Sequence, residues 1–301
     1  MSKVIRLNQN TEEWLSWRNG GIGASDAPVI LGQSPWKTPY QLYIEKTTGE
    51  TSFQGNQATN KGHRLESFAR KAAEEELNMI FHPKCYQHVE YSWMRASLDG
   101  ISMDGEILEI KCPYNPNDPK SDHQLALNGE IPEKYYAQLQ HQLAVAQASK
   151  GYYYSFDGEK GVVIPFERDE DFILKLIDKE KAFCECLQKL KPPKLTVRDY
   201  QVFEGEELCK KADRVLTLRK EAEAVKEELD ALESELKTEY AQETGAILGN
   251  LRITRFLKKG SIDYTAIPEI KEVDLERYRR PMSIGYRLSE VHENRIHQVL
   301  S

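Results

Sequence analysis

No apolar run in the 301 residues approaches the length needed to cross a bilayer, and the opening Met1-Ser2-Lys3-Val4-Ile5-Arg6 lacks the apolar block of a secretory leader. Cysteine is scarce. The five present are irregularly spaced, without the pattern of a disulfide framework or a structural zinc site. Cys184 and Cys186 fall in a helical pattern and read as packing residues. Positive charge is in deficit, with 41 lysines and arginines against 48 aspartates and glutamates and a net charge of −7. That balance argues against a surface that binds polyanions indiscriminately. It leaves room for a nucleic-acid enzyme, because acidic residues can hold metal ions while basic residues line a channel locally. Internal repeats and low-complexity tracts are also missing. The expectation is a soluble, cytoplasmic protein, with no membrane partner, whose 40% hydrophobic residues suffice for a core domain and an appendage.

What is present alternates between helix and strand patterns. Residues 11–18 read as an amphipathic helix capped by Thr11, followed by the flexible turn Gly20 to Asp26, which opens a second helix at Ser25 or Asp26. Helices are expected over 39–46, 62–77, 133–149 and 169–190. Strands are expected over 86–93, 95–102, 106–111, 152–156 and 161–166, with Met103-Asp104-Gly105 as a hairpin turn. The fold class is α+β. Pro192-Pro193 marks a boundary, giving a core over 1–195 and an appendage over 196–301. In the appendage a helix over 206–240 carries Val215, Leu218, Ala222, Val225, Leu229, Leu232 and Leu236 at 3-4 spacing. That stripe either packs on its own chain or forms a seam between subunits. Residues 246–257 and 282–288 read as strands of a small α+β region.

Chemistry concentrates in Ala96-Ser97-Leu98-Asp99-Gly100 and Leu108-Glu109-Ile110-Lys111-Cys112-Pro113. In a strand, Glu109 and Lys111 face one side and Leu108 and Ile110 the other. The face taken by Asp99 depends on the turn. A two-residue Asp104-Gly105 turn pairs it with Ile110, on the wrong side. A three-residue turn, or a bulge at Gly100, pairs it with Glu109. Two carboxylates and a strand carbonyl are hard oxygen donors of the kind magnesium prefers, and a neighbouring lysine can orient water or stabilise a transition state. Glu66, beside the apolar face of helix 62–77, can add a carboxylate or simply pair with Arg70. Gln138 and Gln142 share a helix face, with Gln140 on a neighbouring one. Arg18 and Ser25 flank a turn whose amides can bind phosphate.

Together, Trp14-Leu-Ser-Trp-Arg18-Asn-Gly-Gly-Ile-Gly-Ala-Ser25-Asp, Lys61-Gly-His-Arg-Leu-Glu66, Ala96-Ser-Leu-Asp99-Gly, Leu108-Glu-Ile-Lys-Cys-Pro113 and Tyr136-Ala-Gln138-Leu-Gln140 resemble the lambda-exonuclease, or YqaJ-type viral recombinase, family of PD-(D/E)XK nucleases. The resemblance implies a restriction-endonuclease-like core, a central mixed sheet flanked by helices, here extended by a C-terminal helical and small β appendage. It implies Asp99, Glu109 and the Ile110 carbonyl as metal ligands, Glu66 at a second metal position, Lys111 as the catalytic lysine and Gln140 as a supporting residue. Arg18, Ser25 and Ser97 match positions that hold the 5′-phosphate of the digested strand. The implied activity is 5′→3′ digestion of linear duplex DNA with two Mg2+ ions, or Mn2+ in their place, leaving 3′ single strands for an annealing protein. Family members form trimeric rings, a geometry suited to processive digestion, and occur in phages and prophages.

Other readings are an endonuclease or another nuclease on this core, or an inactive DNA-binding recombination scaffold. An iron–sulfur nuclease would need grouped cysteines, which Cys85, Cys112, Cys184, Cys186 and Cys209 do not provide. The basic residues Arg252, Arg255, Lys258, Lys259, Arg277, Arg279 and Arg280 of the appendage either track DNA phosphates or are merely solvated.

Overall fold

The alternation of the sequence resolves into one large sheet in the computed structural model, which describes residues 2–49, 57–271, 273 and 275–278. In chain order the elements are β1 (Lys3–Ile5), α1 (Glu12–Asn19), β2 (Ile22–Gly23), α2 (Ala27–Ile30), α3 (Pro39–Thr48) and α4 (Gln57–Leu77). There follow β3 (His82–Gln87), β4 (Met94–Ile101), β5 (Ile107–Lys111), α5 (Asp122–Leu127), α6 (Glu133–Ala146), β6 (Lys150–Phe156), β7 (Gly161–Glu167) and α7 (Glu170–Gln188). The helix starts are chemically marked. The Thr11 hydroxyl accepts the Trp14 amide at 3.3 Å, Thr38 and Gln41 cap α3 reciprocally, and the Asp169 carboxylate accepts the Phe172 amide at 3.0 Å.

The sheet runs β1-β3-β4-β5-β6-β7, with β2 also paired to β4. The β2–β4 and β5–β6 pairings are parallel and the others antiparallel. Both faces are covered. On one, Leu139, Leu143 and Ala144 of α6 pack against Leu98, Ile101, Ile107 and Tyr153. On the other, Ala69 and Ala73 of α4 pack against Leu108, Ile110, Tyr154 and Phe156. Burial on both sides explains why β5 reads Ile-Leu-Glu-Ile, with its one carboxylate enclosed. The mixed sheet flanked by helices is the architecture that the resemblance implies.

Two irregularities position β4. Its turn into β5 has three residues, Met103, Asp104 and Gly105, closed by Ser102 N–H to the Glu106 carbonyl at 2.9 Å. Gly105 sits at φ +83°, the left-handed conformation that such a turn needs. The resulting register sets Ile101 against Ile107 and Gly100 against Leu108. The second irregularity faces β3, where His82 pairs with Ile101 but Lys84 with Leu98. Asp99 and Gly100 therefore lie opposite Pro83 alone. Proline has no amide to give the ladder, so a bulge forms there. Of the two alternatives for converging Asp99 and Glu109, the three-residue turn is the one present, and the bulge against β3 leaves the β4–β5 register regular.

Some elements differ from expectation. The strand placed at 86–93 is His82–Gln87, and a turn closed by Met94 N–H to the Tyr91 carbonyl fills the remainder. Helix α6 stops at Ala146, where Gln147 adopts φ +54°. The two short strands β1 and β2 carry too few residues to show a period.

The chain divides into two units between Gln201 and Val202. In the second, α8 (Glu206–Glu239) has no buried residue, and Val215, Leu218, Val225, Leu229 and Leu232 are exposed. Within this second unit, the described residues leave the stripe uncovered. The strand expected over 246–257 is a hairpin, β8 (Gly245–Leu248) and β9 (Leu251–Thr254), reversed at Gly249 with φ +58°. Residues 282–288, Arg279 and Arg280, and the side chain of Arg277, lie outside what is described.

Gly105→Val puts a β-branched residue at positive φ and should destabilise the protein by about 1–2 kcal/mol. Urea unfolding measures the loss, and full retention of stability would refute the strict demand of this turn.

Candidate active site

Beyond Gly100 and Leu108 the β4–β5 ladder stops, and a side chain takes over from the backbone. The Ile110 amide donates to Asp99 Oδ2 at 2.8 Å. At this fork Asp99, Glu109, Ile110, Lys111 and Cys112 line a cavity of about 460 Å³. Glu109 is only 3% exposed, yet it is fully engaged. Its Oε1 accepts from Lys111 Nζ at 2.5 Å and Gln138 Nε2 at 2.6 Å, and its Oε2 from Gln142 Nε2 at 2.5 Å. Three donors thus satisfy the oxygens of this buried carboxylate.

Lys111 also points at Gln138 Oε1, 3.4 Å away, and lies 4.8 Å from the centre of the Tyr135 ring. Tyr135 is fixed in turn by its hydroxyl donating to Asp122 Oδ2 at 2.7 Å. Burial opposes charge on Lys111, but Glu109 and Asp99 beside it prevail and raise its pKa above the ordinary value. It stands as an ammonium. Asp99 is driven the other way from most carboxylates: burial first, then the charges of Glu109 and Glu66, lift it well above 3.8. The same burial, with Asp99 and Glu66, pushes the Cys112 thiol up to about 12, which removes it as a nucleophile.

Glu66 lines the cavity from α4, where it pairs with Arg70 at 2.7 Å. Gln140 must be corrected. Its amide is bound to the Glu167 carbonyl at 2.8 Å and to the Asp169 amide at 2.9 Å, so it braces the β7–α7 turn. At 100° per residue Gln138 and Gln142 face together, while Gln140 turns away from them. Those two glutamines, and Tyr135, are the site contacts that the sequence reading did not assign. Spacing i, i+4 on a helix was the available signal.

The same cavity reaches Arg18, Ser25 and Ser97. Arg18 Nη2 donates to Ser25 Oγ at 2.7 Å, and the guanidinium lies 5.1 Å from the Trp14 ring centre. Trp14 Nε1 donates to Ser97 Oγ at 2.7 Å, so one indole joins the three. Asp26 stabilises the turn beneath: its carboxylate accepts the Gly23 amide at 2.9 Å and pairs with Lys46 at 2.8 Å. Burial opposes that charge, but Lys46 and Arg18 hold the Asp26 carboxyl below its usual range.

Asp99 gives a pH test on the metal-free protein. A carboxylate whose pKa is raised by folding imposes a penalty that is absent below the unfolded value near 3.8 and full above the folded one. Asp99→Asn keeps an oxygen for the Ile110 amide and removes the repulsion. In chelator at neutral pH it should unfold at higher denaturant than wild type, with the gap closing as pH falls below about 4. A variant less stable than wild type throughout would contradict this electrostatic picture.

Residues 13–149 match the family described as YqaJ-like viral recombinase domain. The uncharacterized protein YqaJ of Bacillus subtilis is 34% identical over 194 residues, covering 60% of this chain and 58% of that protein. The uncharacterized protein R354 of Acanthamoeba polyphaga mimivirus is 26% identical over 166 residues, covering 49% of this chain and 29% of that one. The chain therefore spans less than two thirds of either relative's length. Crystal structures of the alkaline exonuclease LHK-Exo from Laribacter hongkongensis, alone and with dAMP, superpose with TM-scores of 0.52 and 0.53. They are 26% and 25% identical, and each comparison covers 60% of this chain and 94% of that chain. By sequence and architecture, residues 13–149, a little under half of the chain, are thus similar to YqaJ-like viral recombinase domains.

Proposed function

We propose that the protein is a metal-dependent exonuclease that digests the 5′ strand of linear duplex DNA. The observation that carries this reading is one cavity holding Asp99, Glu109 and Lys111 at one part and Arg18, Ser25 and Ser97 at another. The likeness to LHK-Exo supports it.

Among the described residues no three His, Cys, Asp or Glu side chains form a closed metal cage. The donors suit a different kind of site. Asp99, Glu109 and the Ile110 carbonyl would hold Mg2+, with Mn2+ as a substitute, and Glu66 would serve a second ion. Magnesium retains several waters and needs few protein oxygens. The raised pKa of Asp99 marks a place short of positive charge, which fits a cation. When bound, such ions neutralise phosphate charge and lower the pKa of water.

The protein's own groups do the rest. Lys111 donates to the oxygens where charge builds at the scissile phosphate or orients the attacking water. Gln138 and Gln142 orient Glu109, and Tyr135 limits where Lys111 can move. Arg18, Ser25 and Ser97 hold the terminal 5′-phosphate, which fixes the phosphodiester that lies at the carboxylates and so the direction of digestion. In the same reading the protein works as a homotrimeric ring around duplex DNA, in the cytoplasm of a bacterial host carrying a phage or prophage. It leaves a 3′ strand for a single-strand annealing protein.

Linear duplex labelled at either end, with magnesium, should release nucleotides from 5′-phosphorylated termini and none in chelator. Cleavage of closed circles would point to an endonuclease, and inactivity with every divalent metal to a binding scaffold. Lys111→Ala should slow digestion at least about a hundredfold, the scale of losing one preorganised electrostatic donor, with little change in DNA affinity. Full activity in that variant would remove Lys111 from the mechanism. Arg18→Ala should narrow the preference for a 5′-phosphate over a 5′-hydroxyl end in paired digestion rates.

A further inference from the structure

Arg95 is a charge without a counter-charge. It is placed on β4, and its guanidinium lies 5.3 Å from the centre of the Trp17 ring. Its Nε is buried with no hydrogen-bond acceptor, and among the described residues no carboxylate pairs with it. Three other arginines of this unit are matched: Arg70 by Glu66, Arg168 by Glu170, and Arg198 by the Ser34 and Pro35 carbonyls. Burial lowers the pKa of Arg95, and no acidic group offsets it. Leaving a partly desolvated cation unmatched is unfavourable unless something supplies an anion.

The surroundings are built to admit this side chain. A Cβ on Gly21 would come within 2.6 Å of Arg95 Nε and of the Trp93 carbonyl, and one on Gly20 within 3.0 Å of Nη1. The Gly20-Gly21 pair thus lets the turn wrap the guanidinium, beyond any need for bending. From the opposite side of the strand, the Arg95 carbonyl accepts from His141 Nε2 at 3.0 Å, and His141 Nδ1 lies 2.7 Å from Glu180. Burial opposes charge on the ring, yet Glu180 and this carbonyl hold the His141 pKa above its ordinary value. Arg95, Trp17, Arg18, Ser25 and Ser97 line one cavity.

We propose that Arg95 is a second guanidinium anchor for the terminal phosphate and makes the pocket selective for a phosphomonoester dianion. An internal phosphodiester carries one negative charge and is adequately met by one arginine. A 5′-terminal monoester carries up to two, and Arg18 with Arg95 matches it in charge. This rests on the exonuclease reading above and adds a recognition residue to it.

The test compares wild type, Arg95→Met, Arg95→Lys and Arg18→Ala on duplexes with 5′-phosphate and 5′-hydroxyl ends. Arg95→Met should lower kcat/KM about ten- to a hundredfold on the phosphate end, the scale of a charged hydrogen bond. The hydroxyl end should change less than about threefold, with Arg95→Lys in between. Inorganic phosphate should raise the thermal midpoint of wild type and not of Arg95→Met. Without phosphate, Arg95→Met should melt at or above wild type, because an uncompensated charge has gone. Equal losses on both ends, a lowered midpoint without phosphate, or unchanged stabilisation by phosphate would overturn the proposal. If Arg18→Ala alters end preference and Arg95→Met does not, only the role of Arg95 falls. If wild type digests neither end, the exonuclease reading falls, and the phosphate titration still decides whether Arg95 binds the anion.

Discussion

The hydrogen bond from the Ile110 amide to Asp99 Oδ2 is where a sheet becomes a site. A ladder that continued past Gly100 and Leu108 would satisfy that amide with backbone and close the gap between β4 and β5. By substituting a carboxylate for a carbonyl, the chain satisfies the buried donor and opens a fork lined with polar side chains. The three-residue turn sets the register for that substitution, and helices α4 and α6 cover the two faces of the sheet. The candidate residues Ser97, Asp99, Glu109 and Lys111 sit on strands of a sheet packed on both faces, which limits their motion.

Glu109 would be an isolated buried charge in this setting without its neighbours. Lys111 and two glutamine amides hold it, and they do so from two elements, β5 and α6. The same logic recurs beneath the phosphate turn, where Lys46 of α3 matches Asp26, and between α6 and α7, where His141 meets Glu180. Breaking such a pair from one side leaves a charge stranded, at a cost of about 3–5 kcal/mol. These networks are better read as fixing geometry than as adding stability, since an apolar core could have replaced each one.

Much of this was legible in sequence, with limits set by physics. Period two over Leu108–Lys111 put Glu109 and Lys111 on one face, and the structure encloses them together. Whether Asp99 would join them hinged on a turn length that the sequence left open between two values. Pro83 carried the hint of the bulge, but its partner strand could only be known once β3 was placed at His82–Gln87 and not at 86–93. The glutamine misassignment has a similar origin. Gln140 took its role from the resemblance, and because helix α6 is buried nearly all round, the shared face of Gln138 and Gln142 did not by itself say which face meets the site. Arg95 escaped notice because a single arginine in a strand is ordinary; what distinguishes it is the missing acid, a tertiary fact.

The net charge of −7 and the proposed phosphate-binding pocket are compatible because the two operate over different distances. Surface charges are screened beyond roughly 8 Å at physiological salt, so the global excess of acid weakly opposes approach of DNA and hardly touches what happens inside. Within the cavity the dielectric is lower, and each unpaired cation counts for more. An enzyme that must release product and advance along a strand gains from this division. A weakly repulsive exterior limits non-specific trapping, while a pocket with two guanidinium groups would, on the proposed reading, recognise the strand end by its extra charge. The acidic composition that argues against indiscriminate polyanion binding is thus consistent with the proposed action at strand ends.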